Sequence, residues 1–119
     1  MGKFLRSVVY AARGVRMAIA GELSLRIHLV VTILTIITGF LLKLDVLECC
    51  LIIIAMGLVW FTELINTAVE TLCDMVSPDI HPMIGKTKDI AAGAVLIASI
   101  TSSLIGLLVF GGKLLHILS

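Results

Sequence analysis

Residues Trp60–Asp74, WFTELINTAVETLCD, decide how the chain is read. They continue a long apolar run with no helix breaker, so the spacing predicts a helix. At about 100° per residue, Glu63, Asn66, Thr67, Glu70 and Asp74 share one face of that helix. Leu64, Ile65, Ala68, Val69 and Leu72 lie between them, and a lipid or a neighbouring helix accepts those. A carboxylate on a membrane helix costs about 2.5–3.5 kcal/mol near the bilayer centre by insertion scales. Several on one face therefore call for cations, protons or metal ions beside them.

Composition puts that face in a membrane. Of 119 residues, 60% are hydrophobic and 14% charged. The mean hydropathy is +1.19, and the apolar share is well above that of a soluble domain. The expectation is a single-domain, all-α integral membrane protein. A net charge of +1 gives no footing for nucleic acid as a partner. No secretory signal peptide is expected, since mixed residues precede the first apolar span and no small-residue cleavage site follows. Cys49, Cys50 and Cys73 lack metal-ligand spacing and read as small hydrophobes.

In chain order, residues 1–27 read as an amphipathic surface helix. Lys3, Arg6, Arg13, Arg16 and Arg26 alternate there with Phe4, Leu5, Val8, Val9, Tyr10 and Met17. Glu22 is the only acid in the segment, and an ion pair with Arg26 is its simplest account. A first span is expected over about 28–44, with Gly39 permitting close approach. A second run, 46–76, is longer than one crossing needs and should project past the bilayer at its polar end. Pro78 and Pro82 should break the helix, leaving a polar connection over 77–89. The third span is expected over about 90–110, ended by Gly111 and Gly112.

Orientation follows from the basic residues. Five lie in the N-terminal segment and two (Lys86, Lys88) in the 77–89 connection, against Lys43 and Lys113 on the other side. The N-terminus, the polar end of the second span and Lys88-Asp89 are thus expected in the cytoplasm. Three helices are too few to enclose such a stripe, so an oligomer is expected.

Two carboxylates about a helical turn or two apart, with an amide between, suit a divalent cation through oxygen ligands. A Lys-Asp pair in a facing segment offers one charge for phosphate and one for metal or ribose. Such a set suits phosphoryl transfer, where catalysis is mostly positioning and charge neutralisation. A remaining carboxylate can accept the proton of an attacking hydroxyl, and at the interface that hydroxyl belongs to a lipid. The same residues also permit a proton or cation pathway, although Leu47–Leu58, with its one charge at Glu48 near its start, gives the stripe no polar partner to continue it. Gly85-Lys86-Thr87 is not a Walker A motif, because Ile80 stands where its first glycine is required.

Glu63-Leu-Ile-Asn66-Thr67-Ala-Val-Glu70 with Asp74, Ser77-Pro78-Asp79-Ile80-His81-Pro82 and Lys88-Asp89-Ile-Ala-Ala-Gly93-Ala94-Val95 resemble the signature of the small prokaryotic diacylglycerol kinase family. Tyr10-Ala-Ala-Arg13-Gly14 and Glu22-Leu-Ser-Leu-Arg26-Ile-His28 extend the resemblance over nearly the whole chain. It implies a homotrimer of three-span subunits in the bacterial cytoplasmic membrane, with a surface helix and sites shared between subunits. It implies ATP as co-substrate and Mg²⁺ as the ion. Glu63 matches the general base and a lipid contact, Asn66 is a further catalytic residue standing beside the pair Glu22 and Glu70, and Ala92 is a further lipid contact. Glu22 and Glu70 match the metal ligands, which also contact nucleotide. Tyr10, Asp79, His81, Lys88 and Asp89 match nucleotide contacts. Thr87 and Ser24 depart from the usual Ala and Asn. Ser77-Pro78-Asp79, His81-Pro82 and Arg26-Ile27-His28 look more like the undecaprenol kinase branch than the diacylglycerol branch. Asp74 reads as a solvated helix end, His28 as interfacial, His116 as part of a solvated tail, and Trp60 as packing.

Overall fold

The computed structural model describes residues 1–76 and 81–119, and every described element is an α-helix. The helix break expected at Ser77-Pro78 and the nucleotide contact expected at Asp79 lie outside the described residues. Four helices follow in order: α1 (Gly2–Gly21), α2 (Leu23–Leu42), α3 (Val46–Val76) and α4 (Pro82–Leu118). The last three are long and apolar enough to cross a membrane.

α1 and α2 are separated by one extended residue, Glu22, at φ −123° and ψ 121°. Its backbone N–H still bonds the Ala18 carbonyl, and its own carbonyl accepts from Arg26 N–H. These two backbone bonds span the corner, and α2 starts five residues before its apolar run. Arg26 does not pair with Glu22. Its guanidinium donates to the Ala20 carbonyl at 2.7 Å, closing the end of α1.

α2 ends at Lys43, a left-handed residue with φ 54°. Lys43 N–H bonds the Phe40 carbonyl and Leu44 N–H the Gly39 carbonyl, a Schellman closure. A Cβ at Gly39 would lie 3.3 Å from Leu44 Cδ1, so the glycine makes room for the leucine that completes the motif.

α3 and α4 pack along each other far more extensively than any other pair. Ala55, Val59, Ala98 and Val109 are buried there, and Ser102 donates to the Ala55 carbonyl at 2.7 Å. Small side chains let the two backbones approach closely enough for that bond. α4 corrects two expectations. It begins at Pro82, so Gly85–Asp89 is helix and not an open connection. Proline at the first helical position lacks only an N–H the helix would leave unpaired, and His81 Nδ1 accepts from Met83 N–H at 3.1 Å. At the other end the helix runs through Gly111-Gly112 to Leu118. Each glycine costs about 1 kcal/mol in a helix; burial of Val109 and a 3.0 Å Lys113–Glu48 ion pair anchor those turns.

Little of the apolar surface is covered by the chain itself. Among the described residues only Leu25, Ala55, Val59, Cys73, Ala98 and Val109 form a buried core. Large side chains such as Phe40, Val46, Ile53, Leu107 and Leu108 stand exposed, as they do on helices solvated by lipid or by further chains.

Candidate functional site

Three to four residues per step along α3 bring Glu63, Asn66, Glu70 and Asp74 to one side. Glu63 is the only buried charged residue among those described, 6% exposed. Its Oε1 lies 3.1 Å from His28 Nε2 across the α2–α3 contact. One turn on, Asn66 Nδ2 donates to Glu70 Oε1 at 3.2 Å. That bond leaves Asn66 Oδ1 fully buried without a partner. Such an orphaned acceptor is rare in folded proteins and asks for a donor or a cation.

Glu22 meets α3 on the adjoining face, that of Leu64, Thr67, Ala68 and Thr71. It lines a cleft of about 470 Å³ between α1 and α3, with Gly14, Ala18, Thr67 and Thr71 among its walls. Thr67 and Thr71 flank Glu70 on α3. The carboxylate of Glu22 caps neither helix that meets at its backbone. Among the described residues no three acidic, histidine or cysteine side chains gather as a ready metal cage. Two carboxylates and an unpartnered amide oxygen nevertheless fit a hard cation such as Mg²⁺, which takes one or two carboxylates and keeps water or phosphate for the rest.

Lys88, in the second turn of α4, sits against the far end of the stripe. Its Nζ donates to Asp74 Oδ1 at 2.6 Å. Asp74 is solvent-exposed as expected, but it is also the partner of Lys88. Its carboxylate raises the Lys88 pKa. A raised lysine is protonated throughout the neutral range, and the pair weakens only as pH climbs through that raised value. Asp89 is exposed beside it. Ala92 is exposed one turn further on. Thr87, the departure in this segment, turns its hydroxyl to the Met83 carbonyl at 2.8 Å and so stays within its own helix. Tyr10 is exposed on α1 and lies 5.6 Å from the Arg13 guanidinium. His81 spends Nδ1 on the start of α4.

The geometry thus brings Glu63, Asn66 and Glu70 to one side of α3, leaves Glu22 at a cleft on the adjoining face, and sets Lys88 one turn beyond Glu70 through Asp74. Sequence reasoning missed His28. It also missed Thr32 and Trp60, joined by a 2.8 Å bond from the indole Nε1–H to the Thr32 hydroxyl. The available signal was that His28, Thr32 and Thr35 share one face of an otherwise apolar helix.

Known proteins with similar sequences bear on what this arrangement does. A family model described as prokaryotic diacylglycerol kinase matches residues 9–110. An undecaprenol kinase from Bacillus subtilis (strain 168) is 35% identical over 114 residues, 96% of this chain and 93% of that protein. A diacylglycerol kinase from Synechocystis is 36% identical over 103 residues, 86% of this chain but 59% of that protein. A diacylglycerol kinase from Escherichia coli (strain K12) is 29% identical over 100 residues, covering 84% and 82%.

Proposed function

The chain belongs to the prokaryotic diacylglycerol kinase family, and from that premise we propose that it transfers the γ-phosphate of ATP to the hydroxyl of undecaprenol. The observation that carries this reading is the buried Glu63 carboxylate, one turn from the partnerless oxygen of Asn66 on a membrane-spanning helix. A carboxylate is costly to hold there, and a role as general base for a lipid hydroxyl accounts for that cost.

The reaction balances on these groups. The acceptor O–H proton passes to Glu63 as the hydroxyl oxygen forms its bond to the γ-phosphorus. The bond from that phosphorus to the bridging oxygen breaks, and its electron pair leaves on ADP. Glu22 and Glu70 would hold Mg²⁺, with Asn66 Oδ1 alongside; the ion would supply charge neutralisation for the phosphates. Lys88 adds a cation at the same end. Asp89, Tyr10, Asp79 and His81 are assigned to nucleotide, and Ala92 to the lipid.

The working unit in this proposal is a homotrimer with sites shared between subunits. The orphaned Asn66 oxygen and the uncovered apolar surface support that reading, since one chain encloses too little of its own polar stripe. α1 is assigned to the membrane surface, its arginines at headgroup level, and α2–α4 to spans of the bacterial cytoplasmic membrane. The seven-to-two bias of basic residues supports a cytoplasmic N-terminus and active site. A cation-conducting role has no support on α3, whose stretch Leu51–Val59 carries no ionisable side chain.

Diacylglycerol is the second acceptor to consider, because the Synechocystis and Escherichia coli relatives carry its name. Phosphate transfer from labelled ATP with Mg²⁺, with undecaprenol and diacylglycerol presented side by side, tests the proposal. Faster labelling of undecaprenol is expected. Faster labelling of diacylglycerol would reverse the acceptor, and transfer to neither by folded protein would defeat the kinase reading.

A further inference from the structure

Among the described residues, His28 is a half-buried titratable group held against Glu63 that the phosphoryl-transfer scheme does not use. It is 22% exposed at the side chain and bonded to Glu63, itself 8% exposed there. Its position is fixed from both directions. Thr32, one turn along α2, donates its hydroxyl proton to the His28 carbonyl at 2.6 Å and accepts from Trp60 Nε1–H at 2.8 Å. One turn of α2 (His28 to Thr32) is thereby fastened to one turn of α3 (Trp60 to Glu63). α2 otherwise touches α3 lightly, so these polar bonds set the register that brings imidazole to carboxylate. No other ionisable side chain competes for it. α4 has none between Asp89 and Lys113, and Arg26 is engaged with Ala20.

The bond divides the two oxygens of Glu63. Oε1 accepts from Nε2–H, the proton being assigned to Nε2 because a carboxylate cannot donate. Oε2 has no protein partner among the described residues. Asn66 Oδ1 is the only fully buried polar side-chain atom there that lacks one, so Oε2 is not completely enclosed. We propose that His28 is the positioning residue of the transfer reaction: it pins Glu63 through Oε1 and reserves Oε2 for the acceptor's proton. The proposal rests on the reading of Glu63 as base. Without the pin the carboxylate rotates among rotamers, and the alignment that general-base catalysis requires is lost while ATP binding is not.

The test compares four variants of the full chain in detergent or bilayers, reading kcat and the KM for ATP with a fixed lipid acceptor. His28→Ala should lower kcat by at least about ten-fold and leave the ATP KM within about two-fold. His28→Gln, whose amide N–H reaches about as far as Nε2–H, should recover kcat to within about three-fold of the parent. Thr32→Val removes the acceptor of Trp60, one of the two polar bonds between these turns, and leaves the imidazole itself; its loss of kcat should be clearly smaller than that of His28→Ala. Should His28→Ala not assemble, His28→Met, of similar size and with no donor, takes its place. Parent-like kcat in the Ala or Met variant overturns the proposal. So does a Gln variant no better than Ala, or a Thr32→Val loss as deep as that of Ala, since either reduces the histidine to helix packing. Glu63→Gln runs in parallel. Parent-like kcat there defeats the base reading itself, whereas an inactive Glu63→Gln beside an active His28→Ala defeats only the role of the histidine.

Discussion

The two ends of α3 carry similar charges put to opposite uses. At the start, Asp45 Oδ1 accepts from Glu48 N–H at 2.8 Å and Glu48 Oε1 accepts from Asp45 N–H at 2.9 Å, a reciprocal capping box. The same Glu48 oxygen accepts from Lys113 Nζ at 3.0 Å, which ties α3 to the last turns of α4. These charges are consumed by structure. Toward the other end, among the described residues, Glu63 keeps one oxygen without a protein partner, Asn66 keeps a buried oxygen with none, and Glu22 caps no helix. Folding alone accounts for the first set. The second set is incompletely satisfied, and what is missing is what ATP, a cation and a hydroxyl would bring.

The sharpest way to break this contrast is at Glu63. Glu63→Gln keeps size and a hydrogen-bonding oxygen but removes the base, so turnover should fall by about 10²- to 10⁴-fold. ATP binding and assembly should persist, as read by nucleotide titration and by sizing in detergent. A variant with near-normal turnover would return Glu63 to a structural role, like that of Glu48. Glu70→Gln should act more narrowly. Its effect should be a rise in the Mg²⁺ concentration needed for half-maximal rate, by about ten-fold, the usual order for weakening a ligand set. An unmoved Mg²⁺ dependence would remove Glu70 from the cation site.

The contrast also marks how far sequence could see. The all-helical class and the three apolar spans were legible because lipid demands long uninterrupted apolar runs. The limits of the helices were less so. Hydropathy reports where lipid lies, whereas backbone hydrogen bonding carries α2 back to Leu23 and α4 from Pro82 to Leu118 through polar residues and glycines. Within the site, Glu63, Asn66 and Glu70 could be grouped from spacing on one helix. His28 with Glu63 and Asp74 with Lys88 could not, since those contacts depend on how separate helices are set against each other. Asp74 and His28 were each given a solvent or interfacial role that leaves out the partner.

The smallest expected effect sharpens the contrast from its quiet end. Lys113→Met keeps the length and apolar stem of the side chain and removes only the ion pair with Glu48, both side chains being 20% exposed. The Asp45–Glu48 capping box survives, because it uses backbone N–H donors. A partly exposed pair of this kind contributes up to about 1 kcal/mol, so the loss should be a small drop in Tm, measured on the detergent-solubilised protein. Turnover and Mg²⁺ dependence should stay at the parent's values, because Lys113 and Glu48 lie some 15 residues or more along their helices from the Glu63 and Lys88 ends, a separation of about 22 Å at 1.5 Å per residue. A fall in kcat without a fall in Tm would mean that the capped end of α3 sets the geometry of the other, and the division between structural and reactive charge would have to be redrawn.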